Sequence, residues 1–277
     1  MLHYLKMSLR VLWKSKGYGI LNIAGLTLGI TCAALIFLWV DYELSYDSHI
    51  KDKDRIYQIY ENQTYDGTTV TFAATPGPLA AAMQQEIVGI EKTARCTWQA
   101  NSLFSLGEKK IFEDGYYADS SLIDLLSVEM IHGRGFDQRY SIVISNRMAN
   151  RFFGNEMPIG KSIRMNNRQD YIITGVFEDL PDNSTHRFDW LVPYEVYYAS
   201  NDWLQFWANN GIQTFVKLAP SVRIEDVNKK LQNFITEKDK TAIAKPFLFA
   251  ATDWRLYNKF TNGKQDGGRI TYIRIFT

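Results

Sequence analysis

Side chains that could do chemistry are thinly spread along these 277 residues. Gly154-Asn-Glu-Met-Pro-Ile-Gly160-Lys161-Ser162 has the outline of a phosphate loop, in which backbone N–H groups and a lysine would cradle the phosphates of a nucleotide. That chemistry needs four residues between the glycines. Here there are five, one of them Pro158, so the run reads as a turn between a helix and a strand. His3, His49, His132 and His186 have no metal-ligand spacing and no paired cysteines near them. Cys32 and Cys96 fall in a membrane-type segment and a strand-type segment, and read as packing residues. There is no G-x-S-x-G elbow. The sequence therefore nominates no catalytic residue, no cofactor and no metal site.

What remains is the chemistry of surfaces. Trp203, Phe206 and Trp207, with Tyr194, Tyr197 and Tyr198 just upstream, make a dense aromatic run. It is either a contact surface for a partner or apolar substrate, or a satellite core beneath the surrounding structure. The second surface is basic: Lys6, Arg10, Lys14 and Lys16 are the charged residues of 1–40, so this stretch carries +4. The other 237 residues then hold 27 basic and 30 acidic side chains, a net −3, and the chain total is +1. A near-neutral chain gives no electrostatic reason to expect nucleic acid as partner. With 46% hydrophobic and 22% charged residues the chain is not disordered, and two cysteines cannot staple a secreted scaffold.

Those basic residues need an element to position them. Tyr18–Val40 (YGILNIAGLTLGITCAALIFLWV) carries no charge, and about 20 such residues cross the hydrocarbon of a bilayer as a helix. It reads as a transmembrane helix at 18–40 with Tyr18, Trp39 and Tyr42 as interfacial aromatics. A cleaved signal would have a shorter apolar run and a small-residue site behind it, where this chain has LWVDYELSYD. The basic flank lies upstream, and Asp41, Glu43 and Asp47 follow, which puts the N-terminus in the cytoplasm and the large domain outside. Within 1–17, Leu2, Leu5, Leu9 and Leu12 recur at helical spacing beside Lys6, Arg10 and Lys14. That segment is either a short amphipathic helix on the inner leaflet or only a topology signal.

Beyond the span, apolar runs of strand type alternate with helical patterns. Strands are expected at 55–62, 94–98, 109–118, 141–145, 161–165, 170–179, 187–193, 214–219 and 246–254. Helices are expected at 79–87, 120–128, 146–154 and 223–237, with Asn166-Asn167 as a hairpin turn. The fold class is α+β: one N-terminal transmembrane helix, then a two-lobed extracytoplasmic mixed α/β domain with one lobe inserted in the other. The expected divisions are a basic segment 1–17, the span 18–40, a membrane-proximal lobe from 41–115 and 212–277, and an inserted lobe 116–211.

In order, SLRVLWKSKGYGILNIAGLTLGI, VISNRMANRFFGNEMPIGKSI (143–163), DYIITGVFEDLPDNS (170–184) and RFDWLVP resemble the MacB-like periplasmic core domain of ABC transporter permeases, within the FtsX-type superfamily. The resemblance implies a permease subunit of an export or extraction system in the bacterial inner membrane. Its periplasmic domain would couple the motion of membrane helices to a substrate or partner outside. It also implies a separate cytoplasmic ABC ATPase, a homo- or heterodimer of permeases, a periplasmic partner and the lipid bilayer. It carries over no catalytic residue. Permeases of this type have three more spans, and GGRITYIRIFT (267–277) is expected to be the approach to the next one. The competing expectation is a single-span extracytoplasmic binding or sensor protein.

Overall fold

A computed structural model gives the structure, which describes residues 7, 10, 16–136 and 138–276. The chain forms two compact units, Met1–Ser45 with Thr271–Thr277, and Tyr46–Ile270.

The first unit is dominated by helix α1 (Lys16–Leu44), whose 29 residues span about 44 Å at 1.5 Å per residue. Its apolar residues point in every direction, and Leu21, Leu26, Leu28 and Phe37 are all exposed. Mean hydropathy reaches 2.2 in its most apolar window. A helix apolar all round satisfies its backbone internally and leaves its surface for lipid. Within the same unit, Trp39 meets Phe276 edge to face at 6.1 Å.

In the second unit, β1 (Ile56–Tyr65) turns through Asp66-Gly67 into β2 (Thr68–Phe72), and β3 (Thr75–Pro76), α2 (Leu79–Glu86) and β4 (Ile90–Cys96) follow. Then come β5 (Ala100–Leu106), β6 (Lys109–Ala118), α3 (Ser121–Leu125), β7 (Met130–Gly133), β8 (Ser141–Ser145), α4 (Asn146–Phe153), β9 (Ser162–Met165) and β10 (Gln169–Phe177). The remainder is β11 (Trp190–Pro193), α5 (Tyr194–Tyr198), β12 (Asn210–Leu218), α6 (Ile224–Leu231), α7 (Phe234–Lys238), β13 (Lys245–Ala250) and the small hairpin β14 (Phe260–Thr261) and β15 (Lys264–Gln265). Helix α8 (Ile270–Phe276) ends the described chain.

Mixed strand and helix outside one apolar helix is the α+β class expected. Asn166 and Asn167, with φ of 53° and 55°, make the β9–β10 turn that their types suggested. Strands β2, β5 and β7 were not expected, because TTVTF and ANSLFSL are rich in Thr, Ser and Asn and alternate only weakly. The single helix expected at 223–237 is two, interrupted at Asn233 (φ −115°, ψ 4°), beyond which Phe234 and Ile235 both turn inward.

Strands run β11-β8-β10-β9-β5-β6-β4-β12-β1-β13, and β11 also pairs in parallel with β6. That second pairing closes β6-β5-β9-β10-β8-β11 into a six-stranded barrel. A closed ladder has no free edges, and alternate residues of every strand must face inward. Phe104, Ile142, Ile144, Ile163, Met165, Tyr171, Ile173, Trp190 and Val192 do so and pack as one core. Trp190 lies directly on Gly115 of the neighbouring strand, where any Cβ would fall on the indole. Its Nε1 donates to the Glu113 carbonyl at 2.8 Å. The open part of the sheet, β4-β12-β1-β13, carries one core on each face. Ile56, Ala94, Phe215 and Phe249 lie on one side; Ile59, Val216 and Leu248 lie on the other under α2, α6 and α7.

Candidate functional site

The stretch around 143–163 is held by charge pairs rather than poised for reaction. Ser145 caps α4, its Oγ accepting from the Met148 N–H at 3.0 Å and donating to Asp189 Oδ1 at 2.7 Å. One turn apart on α4, Arg147 grips Asp189 and Arg151 grips Glu113, each bidentate at 2.8–2.9 Å. Glu113 is 3% exposed, and burial raises its pKa against the opposing pull of Arg151. The opposite side of α4 buries Met148, Ala149, Phe152 and Phe153 in the barrel core. In the phosphate-loop lookalike, the Gly160 N–H donates to the Ile173 carbonyl at 2.8 Å. Lys161 pairs with Glu156 and lies over the Phe153 ring. Donor and cation are both committed to the fold.

Among the basic residues nominated for the membrane surface, Lys6 and Lys14 lie outside the described residues. Arg10 is helical and exposed, and Lys16 begins α1. The aromatic run divides by side chain. Trp203 packs with Tyr194, Tyr197, Tyr198, Leu204 and Ile212 in a small satellite core. Its ring lies on Gly211, where a Cβ would meet the indole. Trp207 packs toward Phe234 at 6.2 Å, and Phe206 is 59% exposed.

Tertiary structure assembles groups that the sequence reading passed over. Asp47, in the left-handed region at φ 57° and 1% exposed, accepts from the Thr185 N–H at 2.6 Å and hydroxyl at 2.5 Å. Beside it the His186 ring stands edge-on to Phe215 and Trp254 at 5.0 and 4.9 Å, and burial lowers its pKa to about 4. His186 Nε2, Trp254 Nε1, Ser184 Oγ and His49 Nδ1 are enclosed there without a hydrogen-bond partner. Glu61 on β1 is fully buried, and burial raises its pKa to about 8. Gln63 Nε2 donates to its Oε1 at 2.8 Å while Oε2 has no partner. A carboxylate continuing the Tyr57, Ile59 face of β1 was the available signal. Among the described residues no three His, Cys, Asp or Glu side chains are grouped to hold a metal ion.

One cleft of about 970 Å³ separates α2 from α5 and the loop around Phe136 and Arg139. Its floor is Arg95, bidentate to Asp119 at 2.9 Å and stacked 4.2 Å over the Tyr194 ring. Gln84, Gln85 and Gln138 line the walls. A neutral, amide-lined cleft suits binding rather than bond-making.

The family model for the MacB-like periplasmic core domain matches residues 20–234. Among solved structures, a domain of a protein described as a permease from Porphyromonas gingivalis superposes with a TM-score of 0.62 at 23% identity, over 82% of this chain and 98% of that one. The periplasmic region of MacB from Actinobacillus actinomycetemcomitans gives 0.56 at 15% identity, over 76% of this chain and 94% of the other. The extracellular domain of YknZ, a noncanonic ABC-type transporter from Gram-positive bacteria, gives 0.54 at 15% identity, over 70% and 99%. No curated protein matches the chain by sequence. Likeness at these identities is likeness of fold, whereas the family model takes in most of α1 and the sheet domain through α6. On that match, the chain belongs to the MacB-like periplasmic core domain family of ABC-type transporter permeases.

Proposed function

We propose that this chain is a permease subunit of an ABC-type export or extraction system, non-catalytic itself, whose outer domain couples ATP-driven motion of the membrane helices to an extracytoplasmic substrate or partner. The observation that carries this reading is the family match running from within the apolar helix α1 to residue 234. In this arrangement a cytoplasmic ABC ATPase supplies the energy. Permeases pair as homo- or heterodimers, and a periplasmic partner receives the movement. The N-terminus is cytoplasmic, the main domain is periplasmic, and α1 lies in the inner membrane with Arg10 and Lys16 at its cytoplasmic side.

The outer domain moves as two lobes, one from 41–115 and 212–277 and the other from 116–211. The core under α2, α6 and α7 and the barrel core support this division, with the β5–β6 hairpin furnishing barrel wall at the boundary, while the core on the other face of the open sheet, from Ile56 and Phe215 to Phe177 and Leu191, joins the two lobes. Rigid lobes suit transmission of a displacement, since closed barrels and packed cores resist continuous deformation. The test is isolation of the tagged protein from native membranes in mild detergent. An ABC ATPase is expected to accompany it, with ATP hydrolysis faster in the complex than in the ATPase alone. Isolation without any ATPase, with a ligand bound regardless, would instead establish a single-span receptor.

A further inference from the structure

The chain enters the outer domain at Tyr46, two residues beyond the end of α1 at Leu44. Residues 46–52 then run without helix or strand to the single helical turn Lys53–Arg55 that precedes β1. Asp47 makes the first firm attachment of this connector. Its backbone is left-handed at φ 57°, a region that Asp and Asn enter more readily than other residues with a side chain, and it is 1% exposed. That conformation turns both its main chain and its carboxylate toward one loop. The Asp47 N–H donates to the Asn183 carbonyl at 2.9 Å, and the carboxylate accepts from the Thr185 N–H at 2.6 Å and the Thr185 hydroxyl at 2.5 Å. Further along the connector, the Lys51 N–H donates to Ser127 Oγ at 2.8 Å.

Residues 127, 183 and 185 all belong to the inserted lobe, 116–211. The connector's own lobe holds it differently, with Lys217 on Asp52 at 2.8 Å and Arg255 over the Tyr46 ring at 3.8 Å. Ile50, itself buried, packs into the core that both lobes share. The loop that receives the Asp47 bonds joins two strands of the barrel, β10 ending at Phe177 and β11 beginning at Trp190. It is tied at both ends: the Glu178 N–H donates to the Glu129 carbonyl at 2.8 Å, and Asp189 is gripped by Ser145 and Arg147. Hydrogen bonds to a buried carboxylate are about twice as strong as neutral ones, so the clasp is a stiff link into a loop with little slack.

Resting on the transport reading above, we propose that Asp47 is a coupling residue: its clasp on Asn183 and Thr185 passes displacement of α1 directly into the barrel of the inserted lobe, ahead of the membrane-proximal lobe that follows Asp47 in sequence.

The test uses the full chain with its co-isolated ATPase in lipid nanodiscs. In a Cys32→Ser, Cys96→Ala background, spin labels at the exposed positions Lys240→Cys in one lobe and Met157→Cys in the other report the distance between lobes, without nucleotide and with ADP and vanadate. With Asp47 intact, a nucleotide-dependent shift is expected. In Asp47→Gly, where glycine keeps the left-handed backbone, the shift should be lost while the nucleotide-free distance and ATP hydrolysis persist. Thr185→Val, which removes only the hydroxyl, should reduce it. Asp47→Asn should preserve it, since the amide accepts from the Thr185 N–H and donates to the hydroxyl. A purely structural lesion would instead change the nucleotide-free distance. A shift undiminished in both Asp47→Gly and Thr185→Val, or no shift with Asp47 intact, overturns the proposal and leaves the transport reading standing; isolation without any ATPase overturns both.

Discussion

Glu61 and His186 are enclosed on different parts of the same domain, and burial disfavours the charged form of each. For Glu61 the folded carboxyl binds its proton up to about pH 8 while the unfolded one releases it near 4.5, so stability falls as pH rises between those values. For His186 the folded ring stays neutral down to about 4 while the unfolded ring protonates near 6.5, so stability falls as pH drops through that window. Between about 4.5 and 6.5 the two slopes oppose, and maximal stability is expected there. Glu61→Gln should remove the alkaline decline, which is at most about 5 kcal/mol from the size of the shift. His186→Phe should remove the acid one. Denaturant titrations followed by Trp fluorescence from pH 4 to 9 check both, and an unchanged slope in either variant would refute that assignment.

At the scale of elements, α4 and α1 are held by different forces. Ser145→Ala removes the cap of α4 and a bond to Asp189, and is expected to cost about 1–2 kcal/mol. Arg151→Ala leaves Glu113 buried without its cation, at about 3 kcal/mol. Midpoints of chemical unfolding measure both, and a loss smaller for Arg151→Ala than for Ser145→Ala would contradict the buried-pair argument. Helix α1 depends on lipid instead. Leu28→Arg puts a charge near the middle of the span at about 2.5–3.5 kcal/mol, and should shift the protein toward the soluble fraction in alkaline carbonate extraction. The ends of α2 and α4 and the β9–β10 hairpin were readable from sequence because caps, Asn-Asn turns and apolar runs act within a few residues. Strands such as β5 were not, because their reason to be strands is the neighbour that pairs with them.

For the molecule as a whole, topology is the feature most open to direct measurement. In a Cys32→Ser, Cys96→Ala background, the exposed Lys240→Cys should react with a membrane-impermeant maleimide in intact spheroplasts, and Arg10→Cys only after lysis. The reverse pattern would invert the proposed orientation. The native Cys96 is a poor competitor, since burial pushes its thiol pKa up and leaves it protonated.

The amino-acid sequence by itself determined the membrane helix, the class of the outer domain, most of its local elements and its family resemblance. The helix, the class and the local elements rest on composition or periodicity within a short window, where neighbours in sequence are neighbours in space, and the resemblance rests on the order of several motifs along the chain. Tertiary structure alone decided that β11 returns to β6 to close a barrel, and that Arg147 and Arg151 exist to hold Asp189 and Glu113. It also brought Asp47 to Thr185 and His186 across 138 residues, and placed β13 at the end of the sheet order. Those are pairings between distant segments, fixed by burial and by backbone hydrogen bonds that no local pattern records.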